Sequence, residues 1–226
     1  MKLAVVYSGG KDSTLALMKA KEYHDVICLI TMISENKESY MFHTPNIHLT
    51  RLQAEAMELP LISVTTKGEK EKELQDLKQA IIEAQQKYKI YGIVTGAVRS
   101  TYQASRIQQI CHELGLWCFN PLWLKDQVEL LQEIVDNKIR AIISGVFAEA
   151  IDETFLGKEI DKNIIYKLSR IALTHHINPA GEGGEIETTV IDAPIFSKKI
   201  LIQKSKTEYA NNSGTFTITD AKLVRK

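Results

Sequence analysis

Near the start of the chain, Ser8-Gly9-Gly10-Lys11-Asp12-Ser13 puts two glycines beside two hydroxyls, a cation and a carboxylate. Glycines let a backbone turn sharply and approach a ligand with no Cβ in the way. The apolar run at 3–7 before them reads as a buried strand, and Thr14-Leu15-Ala16-Leu17-Met18 after them as a helix. A turn so placed aims the first N–H groups of the helix, and the positive end of its dipole, at whatever lies above the strand. With Ser8, Lys11 and Ser13 in the same concavity, the stretch suits an anion, above all a phosphate chain. The spacing is not that of GxxxxGK[ST], which excludes the common phosphate loop. A glycine-rich strand–helix turn with no ligand is the plainer alternative.

Two further stretches have chemical content. At 178–188 the run Asn-Pro-Ala-Gly-Glu-Gly-Gly-Glu-Ile-Glu-Thr interleaves Glu182, Glu185 and Glu187 with glycines. Such a loop can face a ligand or a metal, or it can be a solvated turn; composition alone favours neither. At 96–103, Gly96-Ala97-Val98-Arg99-Ser100-Thr101-Tyr102-Gln103 leaves a strand and enters a helix, with Ser100 or Thr101 as N-cap. Helix grammar accounts for the glycine and the cap but not for Arg99 and Arg106 flanking the helix start.

These stretches need a scaffold, and the rest of the chain supplies one. The 226 residues are enough for one large domain or two small ones with a proper core. Apolar content of 44% and charged content of 25% are ordinary for a globular protein. Lys+Arg and Asp+Glu both number 28, so no general field attracts nucleic acid or an anionic membrane. No apolar run approaches a membrane span and no leader precedes the first strand, so no membrane partner and a cytoplasmic location are expected. Cys28, Cys111 and Cys118 form no CxxC pair, which fits a reducing compartment.

Apolar runs at 26–33, 61–65, 90–95 and 117–119 alternate with helical patterns at 47–59, 74–82 and 101–114. That alternation predicts an α/β, Rossmann-like parallel sheet with helices on both faces, whose ligands bind beyond the carboxyl ends of the strands. After Pro121 the texture changes: helices at 127–137 and 162–175, strands at 140–147, 187–192, 199–205 and 215–224, and an Asn211-Asn212-Ser213-Gly214 turn closing a hairpin. We therefore expect a domain at 1–122 and a smaller α+β domain at 123–226. The charged stretch 67–73 is expected to be a solvated helix start, and Trp117 and Trp123 to lie in the core. Among the histidines only His43 is a candidate to line a site.

The loop at 8–13 resembles the SGGxDS loop of the PP-loop ATP pyrophosphatases, which grips the β- and γ-phosphates while ATP is cut between the α- and β-phosphates. Together with SYMFHT (39–44), GAVRSTYQ and Arg106 (96–106), PLW (121–123), and GEGGEIET followed by Asp192 and Pro194, it resembles the diphthine–ammonia ligase family, in motif order over nearly the whole chain. One departure is Ile186, where the family often has an aromatic. The resemblance implies the HUP-type fold, ATP and Mg²⁺ as cofactors, and adenylation of the diphthine carboxylate on translation elongation factor 2, with free ammonia as nitrogen donor. It implies that Ser8, Gly9, Gly10, Lys11, Asp12 and Ser13 bind the nucleotide phosphates, and that Gly96 and the end of the second strand flank the adenosine. Lys11, Asp12, Glu182, Glu185 and Glu187 would carry the chemistry, with Asp12 or one of the three glutamates holding the metal. Tyr102, Gln103, Arg106 and His43 would face the substrate. A homodimer is among the assemblies left open.

Two competing readings follow from the same loop. A PP-loop enzyme acting on tRNA is disfavoured by the neutral charge and the missing cysteine pair. A nucleotide-sensing module sharing the sheet has no need of either SGGKDS or the acidic loop.

Overall fold

The computed structural model describes residues 1–36, 45–69 and 71–226. The apolar runs become strands and the amphipathic stretches helices in the expected order. These are β1 (Lys2–Val6), α1 (Lys11–Lys21), β2 (Asp25–Ser34), α2 (Thr50–Met57), β3 (Leu61–Thr66), α3 (Glu73–Tyr88), β4 (Gly92–Val94), α4 (Thr101–Glu113) and β5 (Trp117–Phe119). The five strands pair in parallel in the order β3-β2-β1-β4-β5. Alternation along β1 serves both faces: Leu3, Val5 and Tyr7 pack with α1 and α2, whereas Ala4 packs with Leu77 and Ile81 of α3 and Ile107 and Ile110 of α4. Chain order reverses between β1 and β4, the crevice where ligands of such sheets bind. The parallel α/β reading holds.

The second half builds an antiparallel sheet from β6 (Arg140–Val146), β7 (Ile186–Asp192), β8 (Lys198–Ala210) and β9 (Ser213–Arg225), in the order β7-β6-β9-β8. Helices α5 (Gln127–Asp136) and α6 (Lys162–His175) accompany it. Asn211 and Asn212, both at positive φ (51° and 60°), make the two-residue turn between β8 and β9. That hairpin extends beyond its expected ends because its polar outer positions mask the strand alternation. A single apolar cluster runs from Leu3, Leu15 and Leu17 through Leu130 and Leu131 to Ile143 and Val190, so the two sheets share a core. No helix among the described residues is long and apolar enough to cross a membrane.

Two expectations are corrected. Trp117 and Trp123 are 65% and 37% exposed, not core; β5 is the three-residue edge strand of its sheet. The charged stretch 67–73 is also more than a solvated start: Glu73 is fully buried, and Glu71 binds two side chains of α4.

Candidate active site

The loop at 8–13, the candidate phosphate site, lies between the carboxyl end of β1 and the start of α1, as its sequence requires. Gly10 is the N-cap of α1 and has no side-chain capping bond. The Lys11 N–H donates to Thr188 Oγ1 on β7 at 3.2 Å. The N–H groups of Asp12 and Ser13, in the first helical turn, have no carbonyl within the helix to bond. Ser8 and Ser13 bring their hydroxyls to 3.2 Å from each other, and the Gly10 N–H reaches Ser8 Oγ at 3.4 Å. Gly9 has φ +79°, a conformation that side chains rarely adopt. Its carbonyl accepts from Val190 N at 2.9 Å and from Gln53 Nε2 at 3.0 Å. Gly96, just past β4, is pressed against α1: a Cβ there would lie 2.8 Å from Ser13 N. A backbone clash of that kind explains a glycine at this strand end better than turn geometry does.

Charge gathers at the same place. Lys11 is buried, and its Nζ donates to Asp12 Oδ2 at 2.9 Å. The other carboxylate oxygen, Asp12 Oδ1, is buried with no hydrogen-bond partner among the described residues. Across the cleft, burial pushes the Glu187 carboxyl up to about 7, with Lys11 opposing the rise and Asp12 adding to it. Glu187 is half-buried. Glu182 is raised as well, chiefly by burial, and it too feels both Asp12 and Lys11. Lys11, Asp12, Glu182 and Glu187 are thus one coupled set of charges.

The three glutamates of the acidic loop differ sharply. Glu182 Oε1 accepts from the N–H groups of Arg99 at 2.8 Å and Ser100 at 2.7 Å, latching the loop onto the start of α4. Glu185 is taken up by its own loop: Oε1 accepts from Asn178 N and Nδ2, and Oε2 from Gly183 N. Glu187 lies on β7 beside the phosphate loop. Ile186 is 2% exposed and packs under Gly181, whose Cβ would come 2.5 Å from Ile186 O. It belongs to the apolar core.

Tyr102 and Arg106 lie on the outer side of α4, where the Tyr102 hydroxyl and the Arg106 guanidinium both donate to Glu71 and the guanidinium sits 4.8 Å from the Tyr102 ring centroid. The Gln103 N–H is the one capped by Ser100. His43 and the rest of 39–44 lie outside the described residues. His48 bonds the carbonyl of Ile218 at 3.0 Å, a structural tie. Sequence reasoning missed Gln53 and Asn46. Asn46 Nδ2 donates to Thr189 Oγ1 and Phe216 O while its Oδ1 accepts from Ile218 N, joining the two halves of the chain. A lone amide carries no motif; only burial and partners reveal it.

Comparison with known proteins shows the family. The family model described as diphthamide synthase N-terminal domain matches residues 1–118, and the diphthamide synthase C-terminal domain model matches residues 126–224. The chain belongs to the diphthamide synthase family. Among its relatives, the Bos taurus protein named diphthine–ammonia ligase is 34% identical over 226 residues, covering 91% of this chain and 84% of the relative. The Homo sapiens protein of that name is 33% identical with the same coverage. The Schizosaccharomyces pombe one is 32% identical over 89% of this chain, which spans only 36% of that longer protein. A solved structure titled as a predicted subunit of tRNA methyltransferase from Methanocaldococcus jannaschii aligns with a TM-score of 0.43 at 17% identity, covering 86% of this chain and 98% of that one. So distant a likeness adds nothing to the assignment.

Proposed function

We propose that this chain is an ATP-dependent carboxylate–ammonia ligase that converts diphthine to diphthamide, releasing AMP and pyrophosphate. Family membership supports the reaction. The observation that carries it to particular residues is the docking of β7 on the phosphate loop, which sets Lys11, Asp12 and Glu187 in one cleft at the switch point of the parallel sheet.

A carboxylate is a poor acyl donor because its leaving group would be oxide. Attack of its oxygen on the α-phosphate of ATP gives an acyl-adenylate and pyrophosphate, and ammonia then displaces AMP. The protein positions the groups and stabilises developing charge. The first-turn N–H groups, the Ser8 and Ser13 hydroxyls and Lys11 bind the β- and γ-phosphates and neutralise charge growing on pyrophosphate. Gly96 and the end of β2 flank the adenosine. Ammonia sheds a proton as it adds to the acyl carbon. Glu187, which titrates near neutrality, takes that proton.

The residues present fit Mg²⁺. Asp12 Oδ1 is a buried carboxylate oxygen without a hydrogen-bond partner among the described residues, the kind of ligand a hard cation takes. Bound there, the ion would supply charge neutralisation on the phosphates, and Asp12 would hold it.

The protein substrate is translation elongation factor 2, and the nitrogen donor is free ammonia. Residues 1–122 serve as the ATP-binding domain, and 123–226 bring β7 and the acidic loop to it. Three free cysteines fit a cytoplasmic setting. Nucleotide product analysis tests the reading. ATP, Mg²⁺, an ammonium salt and diphthine-bearing factor should give AMP and pyrophosphate in proportion to amide. AMP formed equally without the factor would move the substrate elsewhere, and ATP bound but never cut would point to a sensing module.

A further inference from the structure

Gln53 is fully buried on α2, far in sequence from both loops, yet it touches both halves of the site. Its Nε2 donates to Gly9 O at 3.0 Å and to Val190 O at 2.7 Å. Both neighbours are carbonyls, so the amide has to present its NH₂ to them; the flipped orientation would set three acceptors against one another. The remaining oxygen, Gln53 Oε1, is buried with no hydrogen-bond partner among the described residues. An orphaned buried acceptor is costly, and a leucine or methionine at this place in the core would avoid the cost. What the amide gains is control of one peptide plane.

That plane is Gly9–Gly10. In a trans peptide the C=O and the following N–H point in opposite directions. Gly9 O is held from behind by two donors, Gln53 Nε2 and Val190 N, so the Gly10 N–H is turned the other way, toward the Ser8 hydroxyl and the concavity. The Val190 N–Gly9 O bond and the Gln53 Nε2–Val190 O bond hold β7 against the loop, and Glu187 sits three residues before Val190 on that strand. No side chain fits at position 9 on this side, because a Cβ there would lie 2.5 Å from Gln53 Oε1 and 3.1 Å from Thr50 Cγ2.

We propose that Gln53 is a positioning residue for the nucleotide: by bonding Gly9 O and Val190 O at once, it presets the phosphate-binding face of the loop and holds β7 in register with it. The inference rests on the reading of the loop as an ATP site. Glycine alone would leave the loop free to rotate this peptide, and without the preset orientation each binding event has to restore it.

The test uses the full chain, a non-hydrolysable ATP analogue and isothermal titration calorimetry. Gln53→Met keeps the volume and removes both donations; Gln53→Asn, one methylene shorter, cannot span both carbonyls and provides a second variant should the first fail to fold. Met57→Ala, one turn further along the same helix and buried in the apolar core, is the control for loss of stability. At matched circular dichroism, Gln53→Met should bind the analogue at least about tenfold more weakly, the scale of a buried carbonyl losing a donor. Gln53→Asn should fall between it and wild type. KM for ATP should rise in both while KM for ammonium holds, and Met57→Ala should lower the thermal midpoint and leave affinity within about twofold. Gln53 variants that bind like wild type would overturn the inference alone, as would a Met57→Ala variant that lost as much affinity for the same loss of stability. A wild-type chain that bound no analogue would overturn the ATP-site reading beneath it.

Discussion

Two glycine-rich turns meet at the cleft, and they dispose of their polar groups in opposite ways. The turn at 8–13 is held from outside: Val190 and Gln53 bond its Gly9 carbonyl, and Thr188 receives its Lys11 N–H. With its backbone fixed by neighbours, it keeps together a buried lysine, two hydroxyls and a carboxylate oxygen that has no hydrogen-bond partner among the described residues. The turn at 178–185 holds itself. Glu185 closes on Asn178 and Gly183, and Glu182 is taken by the N–H groups of Arg99 and Ser100. Glycines beside charged residues describe both turns equally well. Whether a charged side chain remains available for a ligand depends on who supplies the backbone partners, which is a property of the fold around the turn.

The contrast makes its strongest prediction at Lys11. Lys11→Ala should lower AMP formation by about 10²–10³-fold, the usual scale for losing one preorganised charge on a developing anion, with an unchanged circular dichroism spectrum. Glu185→Ala should act in the other direction, lowering the thermal midpoint by the equivalent of about 1–3 kcal/mol as three donors lose their carboxylate, with a smaller loss of kcat. If Glu185→Ala matched Lys11→Ala in kcat at full stability, the acidic turn would be chemical after all and the comparison would fail.

Glu187 gives the next effect, and it has a sign. Burial raises its carboxyl from 4.5 to about 7. Between those values the folded chain keeps a proton that the unfolded chain has released, so stability falls as pH rises through this window and levels off above it. Glu187→Gln removes that slope. Its thermal midpoint should gain on wild type from pH 5 to pH 8, by the equivalent of about 2 kcal/mol once solvent reaching the half-buried carboxyl is allowed for. Glu182, raised in the same direction, should leave a residual slope. The same variant should slow amide formation by about 10²-fold, as loss of a general base does, while ATP binding holds. Parallel pH–stability curves for the two proteins would remove Glu187 from its assigned place.

The parallel sheet was legible in the sequence because apolar runs such as 3–7 and 26–33 are buried on both sides and carry no competing pattern. The phosphate loop was legible because glycines, lysine and hydroxyls lie consecutively at a strand–helix junction. The separate duties of Glu182, Glu185 and Glu187 were not, since their partners lie just before α4, on the loop itself and on the turn at 8–13. Gln53 and Asn46 were invisible for the same reason: an amide on a helix or at a loop end looks like surface until distant carbonyls, those of Val190 and Phe216 among them, are brought to it. The exposure of Trp117 was missed because aromatic residues in a short strand read as core, whereas an edge strand leaves one side open.

The smallest expected effect lies outside the cleft, where Tyr102 and Arg106 share Glu71. The group is solvent-exposed, and exposed ion pairs contribute little to stability. Arg106→Ala should therefore leave the thermal midpoint and KM for ATP as in wild type. If this face of α4 meets the protein substrate, as the family resemblance implies, the same variant should raise KM for diphthine-bearing factor by about two- to fivefold, the scale of one exposed ion pair, and the rise should shrink with added salt. A salt-independent kcat loss would instead draw Arg106 into the cleft and extend the chemically open region beyond the phosphate loop. No change in any constant would confine the site to Lys11, Asp12 and Glu187, with Arg99 and Ser100, just before α4, contributing only the two N–H groups that hold Glu182.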